Sequence, residues 1–317
     1  MNKKLPKFAQ NFECKKIIKI LNEKRETSRY VGGCLRDFLN NQDSKDIYIA
    51  TQMLPSEVIN VLSKNGYKPV ATGIDHGTVS VFIKDLSIEI TTLRKDKNQD
   101  GRHADIEFTD DWHVDASRRD FTINAIYMDE EGNLFDPFNG VSDLKNKIVK
   151  FIGKPEERLN EDYLRILRYF RFVSVYDSAV DEDVKKTLKN NKEKILGLSK
   201  ERIRQEFFKI LQSDNSGKII GIMEKMEVLN IIFNGQVNSE AYKRMINIDN
   251  ELFFEPNYLL RFFLLIPNDL DFIVALKNFN FSKKEKKILE NLLLKENEIK
   301  SYQSAKEVRV RVYELGI

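Results

Sequence analysis

Three clusters of residues have the types and spacing that phosphate chemistry needs. The first is VGGCLRD at 31–37. Gly32 and Gly33 let the backbone turn sharply and approach a ligand with no Cβ in the way. Amides at the start of a following helix favour an anion such as phosphate. Arg36, one turn in and followed by Asp37, can clamp a phosphate with two parallel hydrogen bonds. Taken alone, the same residues also describe a plain strand-to-helix turn with a surface Arg–Asp pair. The second cluster is KDIYIAT at 45–51 with IEITTLR at 88–94. On a strand, residues i and i+2 face the same side, so Asp46 and residue 48 point together. A carboxylate pair there can bridge two Mg²⁺ ions, and Glu89 on a neighbouring strand can add a further ligand. Tyr48 interrupts that pair, which leaves open an exposed Asp46 with a Tyr–Ile face packed in a core. Asp43 precedes the strand and is not expected to substitute. The third is EDYLRILRYFRF at 161–172. Read as one helix, Asp162, Arg165, Arg168 and Arg171 recur every three residues along a stripe beside Leu164, Leu167 and Phe170. Facing a cleft, an Asp and three Arg can bond base edges and phosphates. Facing water, they make weak i,i+3 ion pairs.

The elements that must position these clusters change character along the chain. SRYVGGCLRDFLNN reads as strand, glycine turn and helix, and DIYIAT as a short strand. LPSEVINVLSKNGY reads as a helix with a Gly stop. GTVSVFIKDLSIEITTLR reads as two alternating strands joined at KDLS, a hairpin. From about residue 155, Gly and Pro become scarce: PEERLNEDYLRILRYFRFVSVY reads as helical, and the rest reads as successive amphipathic helices, for example 182–195, 199–212, 216–228, 257–266 and 282–298. The abundant Phe of 253–281 reads as helix-packing core. The expected architecture is an α/β head followed by an all-helical body.

Composition narrows the function classes. The chain has 317 residues with 41% hydrophobic and 32% charged, enough for about two domains. Its net charge of +3 from 52 basic and 49 acidic residues does not by itself argue for nucleic acid, so any basic surface must be local. Two cysteines, Cys14 and Cys34, give no disulfide framework and point to a reducing, cytoplasmic compartment. No apolar run is long enough to span a membrane. His76, His103 and His113 lack metal-ligand spacing with the cysteines, which argues against zinc.

Taken in order, the glycine turn, KDIYIAT, IEITTLR, GRHADIEFTDDW, RRDFTINAIY, FDPFNGVSDL, EDYLRILRYFRF and LSKERIRQEF resemble the motifs of class II (bacterial-type) CCA-adding tRNA nucleotidyltransferases and their poly(A) polymerase relatives. The resemblance covers roughly residues 28–212. It implies an α+β nucleotidyltransferase head, like the DNA polymerase beta palm, followed by an all-α neck and body. The implied boundaries are 1–150 for the head, 151–215 for a neck with a nucleotide-reading helix, and 216–317 for the body. The chain ends at VRVRVYELGI where a family tail would continue, so a short or missing tail is expected. The implied activity is template-independent, Mg²⁺-dependent addition of C, C and A from CTP and ATP to the 3′ end of tRNA. By similarity, Gly33 and Arg36 meet the incoming nucleotide's triphosphate, and Gly32 and Asp37 belong to the same nucleotide-binding set. Arg118 or Arg119, with Asp120 and Asn124, holds ribose and phosphate. Asp162 and Arg165 read the base, and Arg168 and Arg171 continue the basic lining. Residues 94–107, with Arg94, Lys95, Lys97 and Arg102, correspond to the loop tied to the switch from C to A. The family's two metal-binding aspartates map to Asp46 and to Tyr48. The implied alternatives are a poly(A) polymerase or A-only adder, and a catalytically impaired nucleotide- or RNA-binding homologue.

Overall fold

The structure, a computed structural model, describes residues 5–24, 27–44, 46–100, 103–237, 239–266 and 269–299. It divides into two compact units, Met1–Arg165 and Ile166–Ile317.

The first unit is built on a mixed sheet. Its strands are β1 (Ser28–Val31), β2 (Asp46–Thr51), β3 (Val70–Gly73), β4 (Thr78–Ile83), β5 (Leu86–Thr92), β8 (Tyr127–Met128) and β9 (Leu134–Phe135), and a separate ribbon pairs β6 (Arg94–Asp100) with β7 (His103–Phe108). The spatial order is β3-β4-β5-β2-β1-β8-β9. β2 and β5 run parallel, and the other pairs are antiparallel. The helices are α1 (Lys7–Gln10), α2 (Phe12–Leu21), α3 (Gly33–Leu39), α4 (Pro55–Lys64), α5 (Trp112–Ser117), α6 (Gly140–Lys145) and α7 (Pro155–Glu161). Alternation does the sorting: Ile47, Ile49, Val79, Val81, Ile88 and Ile90 all point to one face, where Ile17, Ile18, Val58 and Leu62 of α2 and α4 cover them. Asp46, Tyr48 and Glu89 are left to the other face. The hairpin expected at KDLS is β4–β5, turned at Lys84 with φ 51°.

Three expectations change. The 94–107 segment is not a bare loop but the β6–β7 ribbon, rooted by Arg94, which pairs with Asp96 at 3.4 Å and donates to the His76 carbonyl. The Lys97 side chain and Arg102 lie outside the described residues, as does the 300–317 end where a tail was in question. Residues 151–165, expected in the neck, pack with the first unit: Phe151 bridges to Phe121, and Arg158 donates to the Ser117 carbonyl at 3.3 Å. The 161–172 segment is not one helix. α7 ends at Glu161, Asp162 is extended (φ −159°, ψ 107°), and a new helix, α8 (Arg165–Tyr176), begins beyond it. The Asp162 carboxylate accepts the Leu164 N–H at 3.0 Å, the local bond by which Asp competes with a continuing helix.

The second unit is helical: most of α8, then α9 (Glu182–Asn191), α10 (Lys200–Leu211), α11 (Ser216–Lys225), α12 (Val228–Phe233), α13 (Ser239–Leu252), α14 (Tyr258–Phe263), α15 (Asp269–Asn278) and α16 (Lys283–Ile299). Phe207, Phe233, Phe262 and Phe279 interlock in its core, with ring centroids 4.8–6.0 Å apart in the pairs they make. The expectation for the Phe of 253–281 holds for Phe262, Phe272, Phe279 and Phe281 and fails for Phe253 and Phe254, which are 93% and 58% exposed. They follow the end of α13, and Phe253 has φ 55°. Arg261 is fully buried and ties three elements together. It pairs with Asp249 at 2.7 Å and donates to the Leu211 and Ser213 carbonyls at 2.7 and 3.0 Å. Removing one partner leaves an uncompensated buried charge. Arg261→Ala is therefore expected to destabilise this unit by roughly 3–5 kcal/mol, read as a lower urea midpoint.

Candidate active site

The glycine turn after β1 is shaped for close approach. Gly32 has φ 69° and ψ −125°, a conformation open to glycine and strained for any other residue. A Cβ on it would stand 3.5 Å from Arg119 Nη1 and 3.6 Å from the Asn124 carbonyl oxygen. A Cβ on Gly33 would stand 3.5 Å from the Tyr48 ring and 3.6 Å from Arg36 Nη2. The turn thus brings β2, α3 and the RRDFTIN segment to one place.

Hydrogen bonds fix that meeting. Arg36 Nη1 donates to Asn124 Oδ1 at 2.6 Å, and Asn124 Nδ2 donates to Asp120 Oδ1 at 2.8 Å. Asp120 Oδ1 also accepts the Phe121 N–H at 2.9 Å, so the chain of groups ends on backbone. Arg36 is held from its other side by Asp37 at 3.1 Å. Two segments far apart in sequence thus meet here, Arg36 and Asp37 of α3 with Asp120 and Asn124 of RRDFTIN.

The hub beneath them is Asp115, which the sequence reading passed over. It is 1% exposed on α5. Its Oδ1 accepts from Arg118 Nε and Nη2 at 2.9 and 2.7 Å and from the Arg94 backbone N–H at 3.3 Å. Its Oδ2 accepts from Arg119 Nη2 at 3.1 Å and the Tyr127 hydroxyl at 2.7 Å. Burial alone would raise its pKa. The Arg119 and Arg118 charges and the Tyr127 hydroxyl outweigh burial and hold the carboxyl well below the usual carboxylate range. An available signal was DASRR itself: a carboxylate at i with Arg at i+3 and i+4 on one helical turn. The choice left open between Arg118 and Arg119 also sharpens. Arg119 sits beside Gly32 and donates to the Asn124 carbonyl at 3.3 Å, whereas the Arg118 fork is given to Asp115.

The carboxylates stand on the open face. Tyr48 is in direct register with Glu89, and Asp46 with Ser87. Partial burial, then the charge of Asp46, raises the Glu89 pKa. Burial, then the Glu89 and Asp46 charges, pushes the Tyr48 phenol up to about 12, so it is neutral at pH 7. Asp43 lies away from this pair in an exposed ion pair with Lys7 at 2.7 Å. Among the described residues no group of three or more His, Cys, Asp or Glu is placed to hold a metal. Burial raises the Glu89 pKa most, and a divalent cation would relieve the second cause, the Asp46 charge. Mg²⁺ is commonly held by one or two carboxylates with water and substrate phosphate completing its shell. Asp46 and Glu89, both on the open face, suit one divalent cation completed by water and phosphate. A neutral phenol adds no anionic ligand for a second.

The remaining candidates do not form one stripe. Asp162 lies in the turn between α7 and α8, where its carboxylate accepts the Leu164 N–H. Arg165 is 8% exposed and donates to the Arg158 carbonyl at 2.8 Å, to the Arg118 carbonyl at 3.4 Å and to the Glu161 carboxylate. Arg168 and Arg171 belong to the second unit and pair there with Glu206 at 3.7 and 2.6 Å.

Residues 28–150 match the poly A polymerase head domain, and residues 179–238 match the probable RNA and SrmB-binding site of polymerase A. The chain belongs to the class II CCA-adding enzyme and poly(A) polymerase family. Human mitochondrial CCA tRNA nucleotidyltransferase 1 is 42% identical over 182 residues, which are 56% of this chain and 42% of that protein. The CCA-adding enzyme of Ligilactobacillus salivarius is 41% identical over 184 residues, 56% of this chain and 45% of that one. The matched stretch spans less than half the length of these curated relatives. Among solved structures, the Bacillus stearothermophilus CCA-adding enzyme in complex with CTP aligns with a TM-score of 0.69 at 27% identity, over 89% of this chain and 69% of that one. The Thermotoga maritima CCA-adding enzyme complexed with tRNA gives 0.70 at 22% identity over 98% and 77%, a likeness of fold.

Two outcomes follow for this family member. Asp115 has a depressed folded pKa, so its stabilisation is complete above its unfolded pKa of about 4 and is lost as pH falls below that. Asp115→Asn is expected to lower stability at pH 7 and to flatten the loss of stability below about pH 4, measured by urea unfolding across pH. Glu89 has the opposite sign: its raised pKa costs stability once it ionises. Glu89→Gln is expected to raise the melting temperature at pH 7, and the gain is expected to vanish as pH falls through the Glu89 pKa.

Proposed function

We propose that this chain transfers nucleotidyl groups from CTP and ATP to the 3′ end of tRNA, building CCA without a template. The observation that carries the reading is the convergence of the Gly32–Gly33 turn, Arg36, Arg119 and Asn124 beside the Asp46–Glu89 face. Three cationic or amide groups at a Cβ-free turn suit a triphosphate, and two carboxylates beside it suit its metal. The likeness to CCA-adding enzymes supports the same reading.

In the proposed reaction, Arg36 and Arg119 neutralise the triphosphate and orient it. Asp120 keeps the Asn124 amide aimed at Arg36 and the ribose. Asp162 and Arg165 read the base: a carboxylate accepts the exocyclic amino proton of C or A, and a guanidinium donates to ring nitrogen or carbonyl. Asp46 and Glu89 would hold Mg²⁺, which when bound would lower the pKa of the RNA 3′-hydroxyl and offset charge on the phosphates. Gly33 leaves room for the Tyr48 ring beside Arg36, so the phenol occupies space next to the triphosphate. The free, buried Cys14 and Cys34 suit a reducing compartment such as the cytoplasm. Among the described residues no helix is long and apolar enough to cross a membrane.

Tyr48 favours a second reading, a nucleotide- and RNA-binding homologue with impaired chemistry. Losing a bridging carboxylate removes electrostatic stabilisation on the order of 10³-fold in rate. The test uses the chain and Tyr48→Asp with Mg²⁺, labelled CTP and ATP, and tRNA ending just before CCA. Tyr48→Asp is expected to extend the tRNA on the order of 10³-fold faster than the parent. Equal rates would show that Asp46 and Glu89 suffice. Binding of nucleotide without extension by either protein would favour the second reading. Addition of A alone, or extension of generic RNA, would point to an A-adder or poly(A) polymerase.

A further inference from the structure

The transfer proposed above needs two reactants on opposite sides of one phosphorus. In an in-line displacement the attacking oxygen and the departing pyrophosphate lie roughly in line. The groups suited to the triphosphate, Gly32, Gly33, Arg36 and Arg119, gather on the β1 side of Asp46. The attacking 3′-hydroxyl then arrives from the other side, over β5 and β4.

That side of the sheet has a defined surface. Register places Asp46, Ser87 and Phe82 in one row, and Tyr48, Glu89 and Ser80 in the next. Val79 and Val81 alternate with them into the core, so Phe82 shares the face of Asp46 and Glu89. Its row neighbour Ser87 is small, and the Phe82 ring is 60% exposed. Two strand spacings put it about 10 Å from Asp46. That distance is comparable to the reach from a nucleotide's 3′-oxygen to a base near the end of its strand. An exposed aromatic ring stacks on any base and so tolerates sequence change. A primer whose last residues change as C, C and A are added needs that tolerance.

Resting on the proposed transferase reading, we propose that Phe82 is a stacking platform for the single-stranded 3′ end of the RNA acceptor. The contact is separate from the nucleotide subsite and acts on the acceptor alone.

The test is fluorescence anisotropy with the full chain, a labelled tRNA acceptor minihelix ending before CCA, and, separately, labelled CTP. Phe82→Ala is expected to weaken minihelix binding roughly tenfold, to leave CTP affinity unchanged and to melt with the parent. Phe82→Trp is expected to restore RNA affinity. With Tyr48→Asp as background, Phe82→Ala is expected to raise the KM for RNA and not for CTP. Equal minihelix affinity of parent and Phe82→Ala would overturn the platform and leave the transferase reading intact. An equal loss for CTP would mark the effect as structural and overturn it too. Failure of the parent to bind minihelix or CTP would bring down both readings.

Discussion

The buried carboxylate of Asp115 holds the candidate site together. Five donors converge on its two oxygens: three guanidinium N–H groups of Arg118 and Arg119, the Tyr127 hydroxyl and the Arg94 amide. Each donor comes from a segment the site needs. Arg119 lies beside Gly32, Tyr127 lies on β8 next to β1, and Arg94 begins the β6–β7 ribbon. A lone carboxylate at 1% exposure would be neutralised by burial. With two guanidinium partners it stays ionised, and it prevents two like charges from spreading apart. Order therefore passes from Asp115 to Arg119, from Arg119 to Asn124, and from Asn124 to Arg36.

The open sheet face has the opposite character. Partial burial and then the nearby Asp46 charge both raise the Glu89 pKa, so the fold holds this carboxyl where ionising it is unfavourable. Such local conflict is expected where a site is set up for a ligand rather than for stability. Tyr48 changes the balance. It gives this face a neutral ring rather than a further negative charge, and the ring packs against Gly33 and the neighbouring core clusters. A neutral side chain here avoids added repulsion and offers no anionic metal ligand, so stability and metal-binding capacity pull in opposite directions at this position.

The second unit relies on packing and on Arg261. Its Phe cluster supplies non-directional burial, and Arg261 supplies direction by binding the ends of several helices. Arg168 and Arg171 are drawn into the same logic. Glu206, 5% exposed on α10, attracts both, so residues that look like a basic lining in sequence serve as partners for a buried acid.

Short-range features were legible in the sequence because the backbone decides them. The Gly32 turn, the period-two strands β2, β4 and β5, and the hairpin at Lys84 depend on neighbours a few residues apart. So did the shared face of Asp46 and Tyr48. The break at Asp162 was not anticipated. There an Asp side chain chose the Leu164 N–H over continuing the helix, a competition that helical periodicity does not register. By itself the sequence determined which residue types were available: glycines for close approach, guanidinium groups suited to phosphate, and a phenol two residues after Asp46. Only the tertiary structure decided who meets whom. It set Glu89 against Tyr48, Asn124 against Arg36, and Phe82 in the row of Asp46, because strand register and buried charge pairing join residues that the chain keeps dozens of positions apart.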